Sequence, residues 1–174
     1  MIELIRKRRS IRKFKDIPVE PEKVSILAES LLRSPSSRNI NPWQFVLVDD
    51  HNLLQQLATA KEHGSDFLKG APLGIVICAD STKSDVWVED CSIAAILVQM
   101  TALSIGLGSC WIQIRKRFRK GGEYSEAYIQ KLLGIPEHVN VECIIAVGYP
   151  DENRRGLAAS MLQHGKINHN LFAS

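Results

Sequence analysis

The sequence predicts one α+β, or three-layer α/β, domain of about four or five strands with helices on both faces of the sheet. Three observations carry this. Helical and strand periodicities alternate along the chain, the run from Leu73 to Ala79 is apolar on both faces and so internal to a sheet, and no repeat, linker or low-complexity tract divides the 174 residues. A chain of this length buries roughly 70% of the surface its unfolded form exposes, enough for a core without staples. Apolar residues make up 45% and charged residues 24%, with 7 Pro and 11 Gly, which excludes disordered, collagen-like and coiled-coil classes.

Taken in order, Ile2 to Arg9 reads as a short amphipathic helix. Pro21 opens a second at its first turn, with Val24, Leu27, Ala28, Leu31 and Leu32 on one face. Ser10 to Val19 is irregular, and Ser34 to Pro42 is a loop rich in Ser, Pro and Asn, residues that favour local side-chain bonding over helix. Strands are expected at Trp43–Val48, Leu73–Ala79, Ser109–Ile114 and Val141–Val147, and helices near Asn52–Glu62, from Val86 to Ile105, and from Ser125 to Leu133 before Gly134 and Pro136. The helix from Val86 to Ile105 is apolar nearly all round, so it is either a central core helix or one whose free face packs on a second copy. The tail from Tyr149 onward scatters Leu157, Met161, Leu162, Ile167, Leu171 and Phe172 and must lie on something, the partner subunit being one candidate.

The four cysteines stand far apart without a C-x-x-C pair, so buried, reduced thiols are expected rather than a zinc site or redox dithiol. The start MIELIRKRRS lacks an apolar run behind its charges, which argues for the cytoplasm, and Glu89, Asp90, Gln99 and Thr101 interrupt the one stretch near membrane-span length. No partner membrane is therefore expected. Twenty-two basic against 19 acidic residues leave a net charge of only +3, and the basic run Arg115 to Lys120 holds one aromatic, Phe118, rather than the interleaved series of a single-strand platform, so no nucleic-acid partner is expected either.

Three segments have the composition of a binding site. Arg6, Lys7, Arg8, Arg9, Arg12 and Lys13 surround Ser10, a set suited to a phosphate and equally readable as a solvated basic face. The loop S34-P-S-S-R-N-I-N-P-W43 offers short polar donors for a heteroaromatic ring, or simply turn chemistry ahead of a strand. In G106-L-G-S-C-W-I-Q113 two glycines let backbone approach something flat, or merely end a helix. The five histidines have no metal-binding spacing, no G-x-S-x-G elbow or phosphate-binding Walker loop is present, and the adjacent carboxylates Glu89 and Asp90 do not face one another on a helix. A protein without acid, base or metal motifs often borrows its chemistry from a cofactor.

Jointly and in order, these segments resemble the flavin-dependent nitroreductase family. The matching runs are R-R-S-I-R-K-F from Arg8 to Phe14, P-S-S-R-N-x-N-P-W-Q-F from Pro35 to Phe45, V-E-D-C-S-x-A-A from Val88 to Ala95, L-G-S-C-W-I from Leu107 to Ile112, and V-G-Y-P from Val147 to Pro150. The resemblance spans nearly the whole chain. It implies a single nitroreductase-like domain over residues 1–174, a mostly antiparallel sheet flanked by helices, and a homodimer holding FMN at its interface. Residues 149–174 would form a C-terminal extension on the partner subunit.

By that resemblance Arg8 and Ser10 hold the FMN phosphate, Arg12 reaches the ribityl chain and the pyrimidine edge, and Arg9 joins the group. Pro35, Ser36, Ser37 and Asn39 come from the other subunit toward the dimethylbenzene side. Trp111, Ile112 and Gln113 line the face near the reactive N5 edge, and Arg154 or Arg155 adds to the phosphate cradle. The implied activity is hydride transfer from NAD(P)H through flavin N5 to an electron-poor acceptor, a nitroaromatic or quinone, with ping-pong kinetics. No side chain is a catalytic acid or base; Arg12 is the electrostatic stabiliser. Dehalogenation or ring oxidation on the same fold is the alternative, and a basic non-catalytic binding module a third. Asn41, Gln113 and Ile114 depart from the family pattern on the substrate side. The basic run Arg115 to Lys120 reads as a solvated surface or as a recruiter of an anionic substrate or the NADPH phosphate.

Overall fold

The computed structural model describes residues 1–172, so the last two positions of the 149–174 extension lie outside the described residues. Its elements are α1 (Ile2–Lys7), α2 (Pro21–Leu32), β1 (Trp43–Val48), α3 (His51–Ala58), β2 (Leu73–Asp80), α4 (Trp87–Ser104), β3 (Gly108–Gln113), α5 (Ser125–Leu133) and β4 (Val139–Gly148), with short 3-10 turns between. The four strands lie in the order β1-β2-β4-β3, and every neighbouring pair is antiparallel. Each expected strand is present, shifted by at most two residues at an end.

Every residue of the central strand β2 is buried, as its two-sided apolar pattern requires. One sheet face carries Ile75, Ile77, Ile145 and Val147 against α2 and α4, whereas the other carries Val76, Ile144 and Ala146 against α3 and α5. The sheet is thus the middle of three layers. In α2, Leu27 and Leu31 are fully buried, one helical turn apart, each worth about 2 kcal/mol of apolar burial. At the β2–β4 pairing Ile77 faces Cys143 while Cys78 faces Val141, so Glu142 is an extra residue, a β-bulge.

Helix ends follow local chemistry. Asp50 caps α3 by accepting the Leu53 N–H at 2.8 Å, which sets its start one residue earlier than Asn52. The periodicity up to Glu62 overruns the helix, because the Ala58 carbonyl is taken by the Ser65 hydroxyl at 2.7 Å and that of Thr59 by the Arg119 guanidinium at 3.2 Å. α1 stops at Lys7 rather than Arg9, since the chain from Arg8 turns extended and runs beside β3. Gly134, at φ +67°, ends α5 in the left-handed conformation that glycine adopts without penalty.

α4 is buried along one side and open along the other. Ala94, Ala95, Val98 and Ala102 are fully buried, yet Ile93 and Ile96 are 39% and 43% exposed. Among the described residues no helix is long and apolar enough to cross a membrane, and no group of His, Cys, Asp and Glu is placed to hold a metal. All four cysteines are free and buried, with Cys78 pushed up to about 12 by burial.

Candidate functional site

The N-terminal segment reaches the outer margin of β3, which is an edge strand. Ser10 forms a parallel bridge with Ser109, and the Ile11 N–H donates to the Ser109 carbonyl at 3.0 Å. Gly108 permits this approach: a Cβ there would stand 2.9 Å from the Ile11 side chain. Further on, Phe14 bridges Pro150, Lys15 N–H donates to Tyr149 O, and Asp151 N–H donates to Lys13 O. The V-G-Y-P run and the R-R-S-I-R-K-F run therefore meet in space.

Arg8, Ser10 and Arg12 of the second run, and Arg154 just past the first, lie around the buried Cys110. Burial pushes that thiol up, and Arg12, the Ser10 hydroxyl, Arg8 and Arg154 oppose the rise, in that order. Among the described residues neither Arg8 nor Arg12 has a carboxylate within ion-pair distance, and the Arg12 guanidinium lies 5.8 Å from the Phe67 ring centre. Arg154 pairs with Glu152 at 2.7 Å. Glu152 in turn accepts the backbone N–H groups of Arg12 and Lys13, at 2.5 and 3.2 Å, which hold its carboxyl below the usual range together with Arg154. A cleft of about 300 Å³ opens here, lined by Arg8, Arg9, Gln99, Leu103, Ser109 and Arg154. Arg8 and Arg9 also line a larger cleft, about 620 Å³, between α1 and the tail residues Leu157 and Leu162.

Along β3, backbone direction alternates. Ser109 turns its carbonyl outward to Ile11 and Ile114 turns its N–H inward to Glu142 O, so Trp111 and Gln113 present main-chain N–H and C=O on the open margin. Their side chains are joined: the Trp111 indole N–H donates to Gln113 Oε1 at 3.0 Å, and Gln113 Nε2 donates to Glu142 Oε1 at 3.3 Å. Ile112, by contrast, points into the α3/α5 core, so its side chain lines no cleft wall. Glu142 is 4% exposed, its Oε2 has no hydrogen-bond partner, and burial raises its carboxyl pKa against the pull of Gln113 and Arg115.

The serine loop stands elsewhere. Ser37 N–H donates to Asp90 Oδ1 at 2.8 Å in the first turn of α4. Gln99 and Leu103, which line the arginine cleft, lie nine and thirteen residues further along that helix, about 13 and 20 Å at 1.5 Å per residue. Pro35, Ser36, Ser37 and Asn39 are thus gathered at the start of α4, apart from the arginine cluster of the same chain. Arg155 is exposed beside Arg154.

Two participants escape a reading of motifs alone. Glu152 follows G-Y-P in a mixed-charge run whose role appears only once its partners 140 residues away are known. Lys61 is half-buried near Cys110 and Arg117, and burial, then Arg117, lowers its pKa. The peptide N–H of Glu62 donates to Phe118 O at 3.1 Å, packing the basic run onto that corner. Within the run Arg115 lies 5.7 Å from the Trp87 ring centre and Arg119 stacks 3.6 Å from that of Tyr128, which leaves Lys116, Arg117 and Lys120 as its solvent-facing cations.

A family model described as the nitroreductase family matches residues 5–61 and 54–149. The fold superposes on an FMN-dependent nitroreductase from Clostridium difficile R20291 with a TM-score of 0.97 at 45% identity, covering 99% of this chain and 100% of that one. It also superposes on the NADPH:FMN oxidoreductase from Vibrio harveyi complexed with NAD+, with a TM-score of 0.82 at 26% identity over 99% of this chain and 78% of that one. A protein of Methanothermobacter thermautotrophicus, provisionally named an NADH dehydrogenase/NAD(P)H nitroreductase, is 34% identical over 156 residues, covering 88% of this chain and 78% of the relative. On the combined strength of the sequence match over nearly its whole length and the shared fold, the chain belongs to the nitroreductase family of oxidoreductases.

Proposed function

We propose that this protein is an FMN-dependent oxidoreductase that takes hydride from NAD(P)H and passes it to an electron-poor acceptor, a nitroaromatic or quinone, in two successive half-reactions at one cleft. The observation that carries the reading is the cleft lined by Arg8, Arg9, Ser109 and Arg154, with Ser10 bridged to Ser109 beside the open margin of β3. The donor set fits the cofactor. The uncompensated guanidinium of Arg8 and the Ser10 hydroxyl suit a phosphate, that of Arg12 suits an electron-rich ring edge, and outward main-chain N–H and C=O groups at Trp111 and Gln113 suit the hydrogen-bonding rim of a flat heterocycle. Bound FMN supplies the hydride chemistry, so the protein needs no acid, base or metal of its own.

The chain's own residues then have distinct tasks. Arg8, Ser10 and Arg154 hold the phosphate, with Arg9 at the cleft mouth and Arg155 beside it. Arg12, held through its main chain by Glu152, places a fixed cation where negative charge gathers on the pyrimidine edge as electrons arrive, a preorganised stabilisation that water could not supply as cheaply. Trp111 and Gln113 wall the reactive side. Pro35, Ser36, Ser37 and Asn39 of a second copy close the dimethylbenzene side, because within one chain they sit at the far end of α4 from the cleft's Gln99 and Leu103. The exposed Ile93 and Ile96 of α4, with Ile2 and Ile5 of α1 and the apolar residues of the tail, offer that copy its contact surface.

Purified protein is expected to carry the visible absorption of oxidised flavin, bleached on adding NADPH or NADH and restored by a nitroaromatic or quinone. Protein reconstituted with excess FMN that retains none after desalting would refute the reading.

A further inference from the structure

Asp90 is 2% exposed although it carries a carboxylate. Its Oδ1 accepts the Ser37 N–H at 2.8 Å and its Oδ2 accepts the Ser84 hydroxyl at 3.3 Å. Among the described residues no cation stands within ion-pair distance of it; the nearby Arg38 pairs instead with Asp85. This carboxylate is a clamp on two neutral donors.

The segment it clamps needs holding. Arg38, Asn39 and Asn41 have φ of +54°, +56° and +52°, the left-handed region that non-glycine residues seldom occupy, and such backbone persists only where its surroundings over-determine it. From inside the loop, the Ser36 hydroxyl donates to Asn41 Oδ1 at 2.7 Å and accepts the Asn41 N–H at 2.8 Å. From outside, Asp90 grips the residue directly before the strained stretch. The helix that carries Asp90 also exposes Ile93, one turn on, and Ile96.

We propose that Asp90 is the positioning residue of the 34–42 loop, so that the helix offered to the second copy also sets the geometry with which Ser36, Ser37 and Asn39 enter that copy's flavin site. The inference rests on the functional reading above, in which that loop acts in trans. Each cofactor site is then built on a carboxylate that belongs to the other subunit and touches no ligand itself.

Asp90→Ala removes both acceptors, whereas Asp90→Asn keeps an oxygen for Ser37 N–H and turns an NH₂ toward the Ser84 hydroxyl. Titration of apoprotein with FMN is expected to show binding weakened at least about tenfold in Asp90→Ala and restored to within about threefold in Asp90→Asn. Unchanged affinity in Asp90→Ala overturns the proposal. Co-expressing differently tagged Asp90→Ala and Arg12→Ala chains isolates heterodimers in which one site combines two intact halves. These are expected to hold one FMN where either parent homodimer holds little, and heterodimers without flavin overturn the trans assignment. Should Asp90→Ala fail to fold, Ser84→Ala removes one arm of the clamp and is expected to weaken FMN by an intermediate factor; wild-type affinity there counts against the clamp. If wild-type protein binds no FMN, the functional reading fails separately. The Ser37 amide resonance of apoprotein still reports the clamp, being expected to shift in Asp90→Ala and return in Asp90→Asn, and a resonance indifferent to both variants overturns it.

Discussion

Glu152 holds Arg12 by its main chain rather than by its charge. Oε1 of the carboxylate accepts the Arg12 N–H at 2.5 Å, across 140 residues of sequence, while Oε2 accepts from the Arg154 guanidinium at 2.7 Å. One side chain thereby aligns two arginines of the proposed flavin site and leaves the Arg12 guanidinium unpaired.

Replacing Glu152 by Gln should therefore loosen the N-terminal segment. Because the folded state holds this carboxyl below its ordinary value of 4.5, its contribution is present above that pH and is lost as pH falls through the depressed folded value. Thermal melts are expected to place the variant about 3 °C below wild type at neutral pH, with the gap closing toward acid. A gap that does not change with pH would contradict this role.

Arg12 and Arg117 make a matched pair of charge deletions. Arg12→Ala should weaken FMN retention and slow reduction by NADPH about tenfold or more, since an oriented cation near developing charge is lost. Arg117→Ala removes an exposed cation from the basic run and should leave FMN bound. Stopped-flow reduction with equal rates in wild type and Arg12→Ala would remove that assignment.

Glu142 titrates in the opposite sense to Glu152. Burial raises it; Gln113 and Arg115 pull it down, Glu126 of α5 and Glu89 of α4 push it up, and the thiols of Cys143 and Cys91 lie close by. Its protonated form is the one the fold favours, so wild type loses stability as pH rises above 4.5 toward the folded value. Glu142→Gln cannot lose a proton and should gain on wild type by a few degrees over that rise. Melting curves from acid to mildly alkaline pH decide it, and parallel curves would refute it.

Ile96→Glu places a charge on the exposed stripe of α4. Sedimentation is expected to show monomers, and desalting to show flavin lost with the partner. A variant that stays dimeric and yellow would move the interface elsewhere.

The fold was largely legible, and for a local reason. β2 is apolar at every position from Leu73 to Ala79, and Pro21, Gly134 and Pro136 punctuate helices by constraints on single residues. Periodicity overstates the length of α3 because its end is set by Ser65 and Arg119, which reach back from later in the chain. The arginine-serine segment was visible as composition and order. Its anchor Glu152 was not, nor was Lys61, nor the grip of Asp90 on Ser37, because each depends on a contact between residues remote in sequence. The opposite directions of Ile112 and its neighbours follow from the two-residue period of a strand, once the neighbouring segments are located.

The free margin of β3 has one more consequence, for the newly made polypeptide. An unpaired strand edge is a template on which other chains can add strands, and proteins ordinarily protect such edges with charge, bulges or a covering element. In β3 the N-terminal segment covers only Gly108 and Ser109, and the remainder of the edge is Cys-Trp-Ile-Gln. With FMN seated on this margin as proposed, coenzyme supply during biosynthesis bears on solubility as well as turnover, and expression in riboflavin-starved cells should send more of this protein into inclusion bodies.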